Sequence, residues 1–314
     1  MVAFTPPQAS LDEPSHSELR REMATLRQKF DGVALYGTGP ATAAIISLAE
    51  ELHYRAVLIT VWDPASDSEL ATAASLLNGN STRIVMAVSI GAEGIMQQRY
   101  TVEDMERARS KLLARLDNAP AVEMTTTEPW WMYTKGDRTA SILNHFGEFT
   151  SCNIHAVWDT AIADPALAAS WTLDRARQVR SVSGAPVLIR EGGFPGQGRS
   201  PLNEDSPAYS RAKQATFWRT WLQLSRAENG IHAVAFEAVD NPAKQWREFE
   251  ANWGLLDPDL HAWPAWLVFP DQASAGLKTA SRHASGANQR EPNTAAESVV
   301  IARGFAASTA PSEK

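Results

Sequence analysis

Short apolar runs recur along the first 270 residues, and most are followed by sequence in which apolar positions fall at helical spacing. The runs are VAF at 2–4, VALY at 33–36, AVLITVW at 56–62, RIVMAVSI at 83–90, AVEMTT at 121–126, CNIHAVW at 152–158, APVLIRE at 185–191 and IHAVAFE at 231–237. Runs that are apolar almost throughout predict strands buried on both faces, as in a parallel sheet covered by helices. Between them, residues 15–30 open on a Ser/Glu capping signal (SHSE), 41–52 follow a Gly-rich turn, and 102–116, 171–183 and 208–228 carry clear helical periodicity. Eight strands alternating with helices is the count of a single (β/α)8 TIM barrel; an open doubly wound sheet is the alternative. No charge run or Gly/Ser linker divides residues 1–270, so one domain is expected there. From 271 to 314 the chain turns to Ala, Ser, Gly and Asn with one aromatic, Phe305, and a disordered C-terminal tail is expected.

At 314 residues, 44% hydrophobic and 21% charged, the chain has the composition of a globular protein with a substantial core. Lys and Arg number 29 against 36 Asp and Glu, a net charge of −7 with no basic stripe, which argues against a nucleic-acid partner. The single cysteine, Cys152, excludes an internal disulfide framework and a multi-cysteine metal site. His53, His145, His155 and His232 lack paired ligand spacing, so neither metal nor cofactor is expected. No apolar run approaches the roughly 18 residues that span a bilayer. The start MVAFTPPQ carries no signal-peptide pattern, which leaves the compartment open between the cytoplasm and, with an upstream leader, the exterior. Eleven tryptophans stand out, because indole faces stack on sugar rings as readily as they fill cores.

Barrels and open α/β sheets both place their chemistry at the C-terminal ends of strands. Read in order, those ends carry Tyr36, then Trp62 and Asp63, then Gly91, Ala92 and Glu93. Glu128, Pro129, Trp130 and Trp131 follow, then Trp158 and Asp159, then Glu191, then Glu237 with Asp240 just beyond. Carboxylates converging among aromatic faces are what glycosidic chemistry requires: one acid protonates the leaving oxygen, the other attacks or activates water, and the rings hold the sugar.

These residues resemble glycoside hydrolase family 17. VSIGAEG at 88–94 is similar to the family's strand-four acid/base motif, usually Val-Gly-Asn-Glu, and VLIREGGFPGQGRS at 187–200 to its nucleophile motif, Glu-Thr-Gly-Trp-Pro-Ser and then Gly. TTTEPWW at 125–131, AFEAVDNPAKQWREFEANWGL at 235–255 and VALYG at 33–37 resemble its strand-five, strand-eight and strand-two segments. The matches run in order from residue 1 to about 256. The resemblance implies a (β/α)8 retaining enzyme acting on β-1,3-glucan as hydrolase or glucanosyltransferase. Glu93 would be its acid/base and Glu191 its nucleophile, with carboxyl groups about 5–5.5 Å apart. Tyr36, Trp62, Glu128, Trp130, Trp158, Phe194, Glu237 and Asp240 are the candidates for substrate contact, Glu128 and Glu237 equally as hydrogen-bond acceptors behind the site. His155 reads as a core histidine or a substrate contact, and Arg190 is expected to turn away from Glu191, because neighbours on a strand alternate.

The chain also departs from the family. Ala92 stands where an asparagine normally meets the sugar 2-hydroxyl, Ala156-Val157 where a Pro-Tyr pair would orient the nucleophile, Phe194 where tryptophan is usual, and Val239-Asp240-Asn241 where Phe-Asp-Glu is usual. These losses motivate the alternative of a barrel that binds β-glucan without cleaving it. Two other motifs are incomplete or unspecific. YGTGPAT at 36–42 follows a strand and opens a helix, but Thr42 replaces the third glycine of a dinucleotide fingerprint and Pro40 removes a donor. Asn80-Ser81-Thr82 matches a glycosylation acceptor, a pattern common by chance.

Overall fold

Eight parallel strands pair in chain order and the last closes on the first: β1 (Val2–Ala3), β2 (Gly32–Ala34), β3 (Ala56–Val61), β4 (Val85–Ala92), β5 (Glu123–Pro129), β6 (Thr150–Ile154), β7 (Val187–Gly192) and β8 (Ile231–Ala235). Val2 makes the closure, facing Val33 on one side and Ala235 on the other. The computed structural model describes residues 1–6, 13–79, 84–117, 122–203 and 205–272. The near-continuous apolar runs are therefore strands of a closed barrel, and the open sheet is set aside.

The helices are α1 (His16–Arg27), α2 (Pro40–Glu51), α3 (Asp67–Asn78), α4 (Val102–Leu113), the short α5 (Trp130–Tyr133), α6 (Arg138–Asn144) and α7 (Ala156–Asp159), α8 (Pro165–Ser183) and α9 (Arg211–Ser225). Ser15, Ser66, Thr101, Asp137, Asp164 and Ser210 cap the longer ones with side-chain oxygens that accept first-turn N–H groups. Asp164 and Pro165 start α8 well before the 171–183 periodicity, because a carboxylate cap and a proline at the first position favour initiation there. Among the described residues no helix is long and apolar enough to cross a membrane.

Three strand pairings slip register near their C-terminal ends: β4–β5 between Ser89 and Ala92, β6–β7 between Cys152 and Asn153, and β7–β8 between Ile189 and Gly192. A bulge breaks the alternation of side chains and re-aims those beyond it. Below the slips, a buried chain of hydroxyls ties three strands, Ser89 to Thr127 at 3.0 Å and Thr127 to Ser151 at 2.9 Å. After β8 the chain folds back on the barrel, with Ala238 N–H donating to Ala3 O at 2.9 Å. The last described residues pack beside the segment that follows α1, where Phe30 meets Trp266 and Phe269 at ring separations of 5.9 and 4.9 Å. Asp271 and Gln272, expected in the tail, are instead held there: Lys29 pairs with Asp271 at 2.7 Å and Gln272 N–H donates to Gln28 O at 2.9 Å. Residues 273–314 and the Asn80-Ser81-Thr82 triplet lie outside the described residues.

Candidate active site

At the C-terminal mouth of the barrel, β4 delivers Glu93 through a left-handed turn. Gly91 and Glu93 have φ of +84° and +53°. A Cβ on Gly94 would lie 1.9 Å from the ring of Tyr100, so glycine is what lets Tyr100 pack under the turn and accept the Gly94 N–H at 3.0 Å. A non-glycine residue at positive φ persists only where its surroundings over-determine it, and such residues cluster at functional sites. The surroundings here are specific: Glu93 N–H donates to Thr127 O at 2.8 Å, and Glu128 accepts from the Ile95 and Met96 amides at 2.9 and 3.2 Å.

The Glu93 carboxylate accepts from Asn153 Nδ2 at 2.8 Å. Burial pushes its pKa up and the charge of Glu191 pushes it further, against the pull of the Asn153 hydrogen bond. Glu191, on β7, hydrogen-bonds His155 Nε2 at 3.1 Å. Burial alone would raise Glu191, but the His155 hydrogen bond and the charges of His155, Arg190 and Lys244 outweigh it and hold the carboxyl below its ordinary range. For His155 the same pairing overcomes burial and raises the imidazole. Asn153 and His155 stand two apart in sequence, one at each carboxylate.

The bulge on β7 corrects the expectation for Arg190. Cys152 faces Ile189 while Asn153 faces Glu191, so Arg190 falls out of the ladder and the alternation fails. Its guanidinium lies 4.3 Å over the Tyr36 ring and donates to Leu35 O at 2.9 Å. Burial, and then the charge of Glu191, hold the Tyr36 phenol well above its usual range, so it stays a donor.

A cleft of about 740 Å³ opens above the two glutamates. Tyr36, Trp62, Glu93, Trp158 and Glu191 line it, as do Trp131, Asn153, His155, Lys244, Trp246, Glu250 and Trp253. Trp62, Trp158 and Trp246 are 42%, 40% and 65% exposed, far more than core tryptophans are. The remaining candidates do not line it. Glu128 is buried behind the Glu93 loop, as described above, with a pKa that burial pushes up to about 7. Trp130 donates to Asp159 Oδ2 at 2.9 Å and packs on Trp171, leaving its neighbour Trp131 at the cleft. Phe194 is buried between Tyr209 and Phe217. Glu237 is buried under Lys244, which bonds both its oxygens at 2.8 and 2.9 Å. Asp240 is taken up by Arg211, the Trp263 ring N–H and the Gly254 amide.

Sequence reading missed Asn153 as a partner of Glu93 and Lys244, Trp246 and Glu250 as cleft residues. Asn153 and His155 carried a signal, two polar positions two apart at the end of an apolar strand. The motif comparison drew attention to Ala156-Val157 instead, and those two are buried in α7. The hydrogen bond to Glu191 comes from His155. Among the described residues, Asp257, Asp259 and His261 come close enough to suggest a cation site, but they lie away from the cleft, and Asp257 already accepts from the Asp259 and His261 amides.

The glucan endo-1,3-beta-glucosidase btgC of Emericella nidulans is 24% identical over 301 residues, covering 85% of this chain and 44% of the relative. A probable glucan endo-1,3-beta-glucosidase btgC of Aspergillus fumigatus is 23% identical over 299 residues, covering 85% and 41%. The chain thus spans less than half the length of these curated relatives. Among solved structures, GH5_18 from Bifidobacterium longum superposes with a TM-score of 0.63 at 12% identity over 92% of this chain and 81% of that one. A β-glucuronidase from Ruminococcus gnavus superposes with a TM-score of 0.62 at 12% identity over 81% and 46%. At such identities the likeness is one of fold. A family model described as the BtgE/BtgC glycoside hydrolase domain matches residues 2–254, and the chain belongs to that family.

Proposed function

We propose that this chain is a retaining glycosidase of the family 17 type acting on β-1,3-linked glucan, with Glu93 as acid/base and Glu191 as nucleophile. The observation that carries the reading is the opposed tuning of two glutamates at one aromatic-lined cleft, one held above and the other below the ordinary carboxylate range. Such a pair divides the roles of acid and nucleophile. Glu93 gives its proton to the glycosidic oxygen as that C–O bond breaks, and Glu191 forms a bond to the anomeric carbon, leaving a glycosyl-enzyme. Glu93, now a carboxylate, takes a proton from water or a sugar hydroxyl, whose oxygen attacks the same carbon and frees Glu191. The names of the fungal relatives support β-1,3-glucan as the substrate class, and the three exposed tryptophans support sugar rings along the cleft.

Incubation with laminari-oligosaccharides, followed by mass spectrometry, tests the reading. Shorter products indicate hydrolysis and longer ones transfer. Ala92, which brings only a methyl group to the cleft, favours the second reading of a barrel that binds without cleaving. Unchanged oligosaccharides with measurable binding would establish that reading and overturn the first.

A further inference from the structure

Ala92 leaves the strand-four position beside Glu93 without a polar group, yet the cleft holds an unclaimed acceptor close by. Asn153 is 96% buried, its relative exposure being 4%, and it lines the cleft. Its Nδ2 donates to a Glu93 carboxyl oxygen at 2.8 Å. Its Oδ1 is then left buried with no hydrogen-bond partner among the described residues. A buried acceptor without a partner costs free energy, and each such group in a folded protein calls for an explanation. In the strand register, Asn153 also faces Glu191. Asn153 therefore bonds one carboxyl group from the strand position beside the other.

We propose that Asn153 Oδ1 accepts a hydrogen bond from the 2-hydroxyl of the sugar being cleaved, and so supplies from β6 the contact that Ala92 cannot make from β4. The proposal rests on the retaining reading above. If Glu191 meets the anomeric carbon and Glu93 the glycosidic oxygen, the hydroxyl on the adjoining carbon, C2, lies nearest to the strip between them. Positive charge developing at the anomeric carbon makes that hydroxyl a stronger donor. An acceptor placed there gains most in the transition state, and its effect falls on turnover rather than on binding.

The test is a cycle between protein and substrate: an aryl β-laminaribioside and its counterpart with hydrogen at C2 of the cleaved residue, assayed with wild type, Asn153→Ala and Asn153→Asp. Alanine should lower kcat/KM on the hydroxyl-bearing substrate by about ten- to a hundredfold and on the deoxy substrate by less than about threefold. Aspartate keeps the acceptor and replaces the donor to Glu93. It should preserve the preference for the hydroxyl while moving the alkaline limb of the pH profile upward. Equal losses on both substrates with alanine would mean that Asn153 only holds Glu93, and the proposal would fail. Should the alanine variant not fold, loss of the preference in the aspartate variant overturns it equally. The underlying reading fails separately, if Glu191→Gln cleaves the aryl substrate as wild type does, or if the wild-type chain cleaves neither substrate.

Discussion

Glu93 and Glu191 begin with the same intrinsic acidity, so whatever separates them comes from their neighbours. An amide donor and a facing anion surround the first, and an imidazolium with two further cations surrounds the second. If Glu191 is the nucleophile as proposed, Gln in its place keeps the volume and removes the charge; turnover of laminari-oligosaccharides should fall by about three orders of magnitude or more, with the melting temperature nearly unchanged. Glu93→Gln should cost far less on aryl glycosides whose leaving group needs no proton than on natural linkages, and equal costs on both would remove its role as acid. His155→Gln retains a donor to Glu191 and removes the positive charge. Without it the Glu191 pKa rises, so the acid limb of the kcat/KM profile should move to higher pH by about a unit, and activity should be lost first at low pH. An acid limb that stays where it was would show that His155 only packs against Phe236 and Trp253.

The strands could be read from their near-continuous apolar runs, because burial on both faces leaves that pattern whatever the tertiary detail. That Glu93 and Glu191 stand at the mouth of the barrel could be read because each directly follows such a run. The bulges left no pattern. A slip of one residue on β7 is set by packing around the barrel, and it decides that Arg190 reaches Tyr36 rather than turning outward. Glu128 also looked like a residue of the mouth, being at a strand end beside two tryptophans. What the sequence could not convey is that the loop after Glu93 curls back and offers Glu128 two amides. Glu128→Ala should leave those amides unpaired, loosen the segment that carries Glu93 and lower kcat by about tenfold with a smaller change in KM. Hydrogen exchange measured by mass spectrometry should then rise at residues 93–98 ahead of the rest of the barrel. Unchanged protection there would refute the pinning role.

Among the described residues, the acids whose pKa is shifted fall into two groups that respond to pH in opposite directions. Asp67, Glu103 and Asp104, at the starts of α3 and α4, lie below their ordinary range, chiefly through hydrogen bonds from cations or capping groups. Their contribution to stability is present at neutral pH and is lost as pH falls below the ordinary carboxylate range. Glu22, Glu128 and Glu237 are pushed up to about 7 by burial, from an ordinary 4.5. Below about pH 4.5 these three are protonated in both folded and unfolded chains. Between there and about pH 7 the unfolded chain releases protons that the folded chain keeps, so stability falls as pH rises and levels off above. The two windows meet near pH 5, where the melting temperature should peak. Glu22 isolates the second group cleanly, since it lies on α1 away from the cleft, with Oε2 buried and unpartnered among the described residues. Glutamine there resembles the protonated acid. Glu22→Gln should therefore leave the melting temperature at pH 5 within about a degree of wild type and raise it by about 2–4 °C at pH 8. An equal shift at both pH values would trace the effect to packing, and no shift at pH 8 would mean that the buried carboxyl gains a proton donor as it ionises.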